Sequence, residues 1–249
     1  MTPVDPRLVA AAIDRAGIGN PLLGIGTGTG TPGTALIADA RPLVDAVGAG
    51  LGHPERRVAA SLTVLGYAAR LVGPTLAVLL RDGILLDTDP ARVHHAYAPG
   101  TGFTLTMPDP AGWAPVPLRD WGGTVVDAHL APVIQAVRAA VPVAAGLLWG
   151  NVASGLTGAL AALAGSVPLA ECHETGLVLL DHGPLRGSGQ LDVRAGRLTF
   201  RRRSCCLFYR LPGGGTCGDC PLRMFGILIA GVMPMVHGPD PVIEVTITG

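Results

Sequence analysis

Four of the five cysteines fall within sixteen residues: Cys205 and Cys206 are adjacent, ten residues follow, then come Cys217 and Cys220. Thiolates are soft donors that suit zinc, copper(I) and iron–sulfur clusters. Four are enough for a closed tetrahedral zinc site or for a [2Fe–2S] cluster. Structural zinc sites usually combine two C-x(2–4)-C knuckles, and here only Cys217 and Cys220 make one. Neighbours on an extended chain point to opposite faces, so the backbone must turn if Cys205 and Cys206 are to serve one site. An adjacent pair is easier to place around a two-iron group than around one ion. The residues favour an iron–sulfur site, with zinc, and unligated or disulfide-bonded thiols, as the alternatives.

The insert between the two cysteine pairs suits either metal. Gly213, Gly214 and Gly215 open backbone angles closed to other residues, and Gly218 does the same inside the knuckle. Asp219 places an anion beside the site, which favours the oxidised form of a cluster. Phe208, Tyr209 and Arg210 lie inside the loop, where they shield a cluster or, for Tyr209 and Arg210, meet a substrate. Arginine is dense here: Arg186, Arg194, Arg197, Arg201, Arg202, Arg203, Arg210 and Arg223 face only Asp181, Asp192 and Asp219. Such a face attracts an anionic or oxygen-rich complex, or an acidic electron donor; a solvated surface is the plainer reading. Strand alternation would put Arg201 and Arg203 on one side and Arg202 on the other.

The rest of the 249-residue chain must position this loop. It is long enough to bury a core without disulfides. Formal net charge is zero, so bulk charge points to neither nucleic acid nor an anionic membrane. All 18 Lys+Arg residues are arginine. Residues 1–15 carry four charges and no apolar h-region, which argues against a signal peptide and for a cytoplasmic, reducing setting. Residues 139–170 carry no charge and by length alone could span a membrane. They also hold Pro142, Asn151, Ser154, Thr157, Ser166 and Pro168, with Leu148, Val152, Leu156, Ala159 and Leu163 at helical spacing. A buried helix of a soluble protein is expected there, not an integral span.

Asp5-Pro6 and the apolar spacing of Val9, Ile13 and Ala16 predict a capped helix ending at Gly17. The glycine-rich stretch 24–33 reads as a flexible loop. Its formal G-x-G-x-x-G (Gly28, Gly30, Gly33) lacks the flanking strands of a dinucleotide site. A helix over 34–47 is interrupted by Pro42. The clearest helix runs from Pro54 to Val72 and closes at Gly73-Pro74, with a short helix or strand over 75–86. A strand is expected at 103–107, helices at 127–140 and 147–163, and a strand-like run at 176–181. Residues 191–193 and 198–200 predict a β-hairpin around Ala195-Gly196, leading straight into the cysteine loop. Cys172 is expected to be a small core hydrophobe, and Trp149-Gly150-Asn151 to be helix packing. His94-His95 and His182 have no partners at ligand spacing.

Residues 201–222, with the pattern C-C-x(10)-C-x-x-C and its glycine run, resemble the C-terminal signature of the ferric-siderophore reductase (FhuF-like) family. Two weaker stretches are similar to it: residues 55–62 with 66–71, and residues 148–155. The resemblance spans about residues 55–222. It implies a [2Fe–2S] cluster held by Cys205, Cys206, Cys217 and Cys220, and one-electron reduction of a ferric siderophore, of hydroxamate type, in the cytosol. Substrate contacts would fall to Arg201, Arg202, Arg203, Tyr209 and Arg210, and electrons would come from a separate low-potential donor. The expected architecture is α+β: a helix-rich body (1–175), a hairpin and cluster-binding region (176–222), and an extension (223–249) to which no role is assigned. The rival readings are a ferredoxin-like carrier and a non-enzymatic zinc- or cluster-binding regulatory module. No helix-turn-helix or aromatic stacking set supports a nucleic-acid partner.

Overall fold

The computed structural model describes residues 1–52 and 55–222. The expected helix start at Pro54, Arg223, and the extension with its apolar and strand-like runs lie outside the described residues. In chain order the elements are β1 (Thr2–Pro3), α1 (Pro6–Ala16), β2 (Thr31–Pro32), α2 (Gly33–Ala38), α3 (Arg41–Gly50), α4 (Arg56–Asp82), β3 (Leu85–Leu86), β4 (His94–Ala98), β5 (Gly102–Thr106) and β6 (Gly112–Ala114). There follow α5 (Leu118–Trp121), a π-helical stretch (Gly122–Leu130), α6 (Ala131–Ala140), α7 (Ala145–Leu163), α8 (Leu169–Leu180), β7 (Gly189–Arg194) and β8 (Arg197–Arg202). The expected small sheet is three small ones, of order β1-β6-β3, β2-β4-β5 and β7-β8, all paired antiparallel. The α+β class stands.

At the centre, α4 packs against α7. Gly155 lets the backbones approach: a Cβ there would lie 3.2 Å from Ala69 Cα. Both helices are long and apolar enough to cross a membrane by length and composition, yet most of each is buried inside the fold. The uncharged composition of 139–170 therefore serves a helix with little exposed face.

The helix expected to stop at Gly73-Pro74 runs on to Asp82 and ends at Gly83, in the left-handed conformation. Proline in a helix interior costs about 3 kcal/mol or more. Leu71, Val72, Leu76 and Val78 around it are fully buried, at roughly 1.5–3 kcal/mol each, so burial wins. Gly73 matters for another reason. A side chain there would strike the Leu22 carbonyl, so the glycine marks close contact with the loop after α1, not an end.

Three other expectations change. Residues 176–181 are helix and turn, with Gly176 admitting Leu191 and Leu160 against α8. Pro42 opens α3 at its first turn instead of breaking a longer helix. The glycine-rich stretch 24–33 is pinned at several points. The Gly26 N–H donates to the Leu105 carbonyl (3.1 Å), the Met107 N–H to the Gly26 carbonyl (2.8 Å), and the Gly33 N–H to the Val93 carbonyl (2.8 Å). The capped α1 helix and the β7–β8 hairpin appear as expected. Ala195 and Gly196 both have positive φ (49° and 73°), the two-residue turn that matches strand twist.

Candidate metal centre

The chain leaves β8 at Arg202 and enters the cysteine loop. The Arg203 N–H donates to the Ser188 carbonyl (2.8 Å), which ends the strand pairing. After Cys206 the backbone turns through Leu207, at φ 67°. The Leu207 N–H lies 3.4 Å from Cys205 Sγ. Gly213 (φ 72°) and Gly215 (φ 60°) use left-handed angles, whereas Gly214 is needed for space, because a Cβ there would strike the Phe208 carbonyl. Gly218 has no positive φ, contrary to expectation. The Cys220 N–H closes the knuckle on the Cys217 carbonyl (3.2 Å).

All five cysteines are free thiols. Cys206 Sγ and Cys217 Sγ lie 3.5 Å apart, in contact but unbonded. The hydrogen bond with Cys217 and the Arg202 guanidinium bring Cys206 down to about 5 against the opposing effect of burial. Cys217 is driven upward by its bond to Cys206, by burial, and by the nearby Cys206 and Asp219 charges. Burial raises Cys205, which also senses charge on Cys206 and Cys220. The four thiols therefore form one electrostatic neighbourhood. Cys206 and Cys220 are buried, while Cys205 and Cys217 are half-buried.

Among the described residues, no three His, Cys, Asp or Glu side chains converge as ligands of a single ion. A two-iron group takes four thiolates, divided between its two metals, and the four cysteines of this loop supply that donor chemistry.

A buried polar chain fastens the loop to the body. Arg202 is wholly buried, its Nη2 donating to Asn151 Oδ1 (2.7 Å) and to the Gly150 carbonyl (3.1 Å). Asn151 Nδ2 donates to the Ser61 carbonyl (2.8 Å) and contacts Ser61 Oγ (3.0 Å). Ser61 Oγ donates to the Cys206 carbonyl (2.6 Å). Arg202 Nε lies 3.4 Å from Asp219 Oδ2, an ion pair without hydrogen-bond geometry. Gly150 completes the fit: a Cβ there would collide with Ser204 Oγ. The loop is thus gripped from the first two turns of α4 and of α7.

The sequence-derived site residues divide accordingly. The four cysteines share one loop, in which Cys206 and Cys217 are in contact. Arg201, Arg203, Tyr209 and Arg210 lie on the surface around them. Arg210 pairs with Glu55 and lies over the Tyr209 ring. Arg202 is not on the surface: its guanidinium faces Asn151 and Asp219, so it cannot meet a bulky substrate. Ser61 and the structural roles of Asn151 and Gly150 were not apparent from spacing, although both stretches holding them belong to the segments similar to the siderophore-reductase family. A signal was present in Asn151, an amide in a helix without ionisable groups. Elsewhere, Cys172 is buried in the core and His182 pairs with Asp127 (2.9 Å).

The thiol-rich loop closes a small hairpin on the helical body of an α+β fold. The model of the FhuF 2Fe-2S C-terminal domain matches residues 202–222, so the cofactor is a [2Fe–2S] cluster. A curated relative, the ferric siderophore reductase of Escherichia coli (strain K12), is 28% identical over 180 residues, covering 68% of this chain and 67% of that protein. The chain is thus similar to FhuF in its C-terminal segment.

Proposed function

We propose that the protein is a ferric-siderophore reductase in which Cys205, Cys206, Cys217 and Cys220 hold the [2Fe–2S] group. The observation that carries this reading is the meeting of four free thiols inside the segment matched by the FhuF 2Fe-2S domain, on a loop fastened to a much larger body. The name of the related reductase supports it. When bound, the group supplies a one-electron couple. Its redox partner is an Fe³⁺ complex of a hydroxamate siderophore, and one electron from a separate low-potential donor converts Fe³⁺ to Fe²⁺. Hard oxygen donors hold Fe²⁺ far less well, so iron leaves in the cytosol and the chelator is unchanged. No bond of the chelator is cut, and no general acid or base is needed.

The residues divide the remaining work. Cys206 and Cys220 face the interior and Cys205 and Cys217 the surface, so the donor set lies at the protein boundary, where electron transfer to a large complex is short. Arg202 sets a buried positive charge on the inner side. That charge opposes the negative charge of the thiolates and favours a reduced, more negative state. Arg201, Arg203, Tyr209 and Arg210 form the exposed surface open to the complex or the electron donor. The test is anaerobic purification with visible spectrum, iron and sulfide content, then mixing the dithionite-reduced protein with a ferric trishydroxamate and an Fe²⁺ trap. The expected result is a coloured protein and a ferrous signal. A colourless zinc protein would remove the cofactor, and a coloured protein giving no ferrous signal would leave a carrier or sensor.

A further inference from the structure

The C-terminal end of α4, the segment after β6 and the first half of α8 enclose a cleft of about 370 Å³. Its walls are apolar: Leu79, Leu80, Pro115, Val116 and Leu118. Two polar side chains line it from α8, Glu171 and Thr175, four residues apart and therefore on one side of the helix. Thr175 is 5% exposed, and its hydroxyl has no hydrogen-bond partner among the described residues. Other buried helical threonines behave differently: Thr63, Thr75 and Thr157 donate to the carbonyl four residues back, at 2.8–2.9 Å. The Thr175 oxygen is not sealed from solvent, so the cleft is where its bonding is completed. Glu171 forms no ion pair among the described residues, and no arginine lines the cleft. The end of α4 adds to the negative side, because the carbonyls of a helix's last turn carry partial negative charge.

We propose that this cleft is a second binding site, one that takes an organic ammonium ion with a compact apolar body. The volume lies within the range of small-molecule sites, about 300–1,000 Å³. The apolar walls hold the body. The ammonium donates to the Glu171 carboxylate, a charge-assisted bond, and to the Thr175 oxygen, beside the carbonyl end of α4. An anion would meet that carboxylate with no cation to offset it. The site does not belong to the cysteine loop. Leu79 lies 18 residues beyond Ser61, the α4 residue that meets Cys206, or about 27 Å along the helix at about 1.5 Å per residue. The inference is therefore independent of the ferric-siderophore reading. A carboxylate in the first turn of α8 also favours that helix, and this role alone would leave the cleft with no preference for cations.

Cyclohexylammonium, cyclohexanol and cyclohexanecarboxylate share a body and differ in charge; at pH 7 the amine is protonated and the acid ionised. Each is titrated into the ¹⁵N-labelled, full-length, cluster-loaded protein while amide shifts are followed by NMR. The ammonium should give saturable shifts at Leu80, Val116 and Thr175. It should bind at least about tenfold more tightly than the alcohol, the gain of one charged hydrogen bond, and the carboxylate should bind weakest. Glu171→Gln should weaken ammonium binding by about the same factor and leave alcohol binding within about twofold of wild type. Thr175→Val, close to isosteric, should weaken the ammonium several-fold, and it stands in if the first variant fails to fold. Equal binding of the three probes, wild-type ammonium affinity in either variant, or shifts that map away from the cleft would each overturn the proposal. So would the absence of any saturable shift.

Discussion

Replacing Arg202 by Met should cost more than any other single change at the loop. The guanidinium has no exposed surface, donates to Asn151 Oδ1 at 2.7 Å and the Gly150 carbonyl at 3.1 Å, and lies 3.4 Å from the Asp219 carboxylate. Two unit charges at that distance attract by about 5 kcal/mol at an effective dielectric of about 20. Desolvation of both groups offsets much of that attraction, so the pair adds little net. Removing one partner is different, because the desolvation of the other is then uncompensated. Breaking a buried pair costs about 3–5 kcal/mol, and each stranded acceptor about 1–3 kcal/mol. These terms overlap, because Asp219 is 15% exposed and can turn toward water, so about 3–5 kcal/mol is expected in total. Against a typical total of about 5–15 kcal/mol, the variant stays folded but is badly weakened. Urea unfolding of the cluster-loaded protein measures the loss, and iron per chain measures how well the loop still holds the group. Arg202→Met combined with Asp219→Asn should recover a substantial part of the loss, because no orphaned carboxylate remains. A loss below about 1 kcal/mol in the single variant, or no recovery in the double, would refute the reasoning.

Three further outcomes follow from the same geometry. Gly150→Ala should displace Ser204 and cost about 1–3 kcal/mol through overpacking. Adding Ser204→Gly should restore the urea midpoint and the iron content if the clash is the cause. Cys217→Ser should abolish most of the visible absorption and lower iron per chain, and retained colour would show that the ligand set is different. His129, buried against Tyr67 (Nε2 to Oη 2.7 Å), is held neutral by burial, down to about 4. Its folded value lies below its unfolded one, so the unfolded chain takes the proton first. Stability is full above about pH 6.5 and falls as pH drops toward 4, by on the order of 3 kcal/mol. The buried His95, also lowered by burial, moves the same way. His129→Gln should flatten the fall in urea midpoint between pH 7 and 4.5; an equally steep fall would place the acid sensitivity elsewhere.

Local signals were legible wherever the physics is local. The Asp5 cap of α1, the turn at Ala195-Gly196 and the helical spacing of Leu148, Val152 and Leu156 each reappear in the fold. The cysteine spacing likewise pointed to a metal group, and the structure turns the backbone just after the adjacent pair, at Leu207. Failures occurred where distant packing overrides a local preference. Gly73-Pro74 is a strong stop signal, but it lies where α4 is walled in by the loop after α1. Residues 176–181 have strand-like composition, yet Gly176 lets them pack as helix under Leu191. At the site, Arg202 reads as one of three equivalent arginines, and only the structure turns it inward. Strand alternation had already separated it from Arg201 and Arg203. What alternation does not contain is the partner across the fold, Asn151, 51 residues earlier.

The polar chain from Ser61 to Arg202 also bears on the order of assembly. It joins parts of the chain far apart in sequence, Ser61 meeting Cys206 across 145 residues, and the separate Glu55–Arg210 pair spans 155. Such distant closures carry a large entropic cost and form after local structure. The anchoring surface for the loop exists only once α4 and α7 have packed, because it is made of groups from both helices. Maturation therefore has a sequence: the helical platform comes first, and the thiols gather on it afterwards. Until then the cysteines are open to oxidation, which proceeds fastest at accessible thiolates. A fault deep in the α4–α7 contact, with every cysteine intact, would then appear as a protein that fails to retain iron.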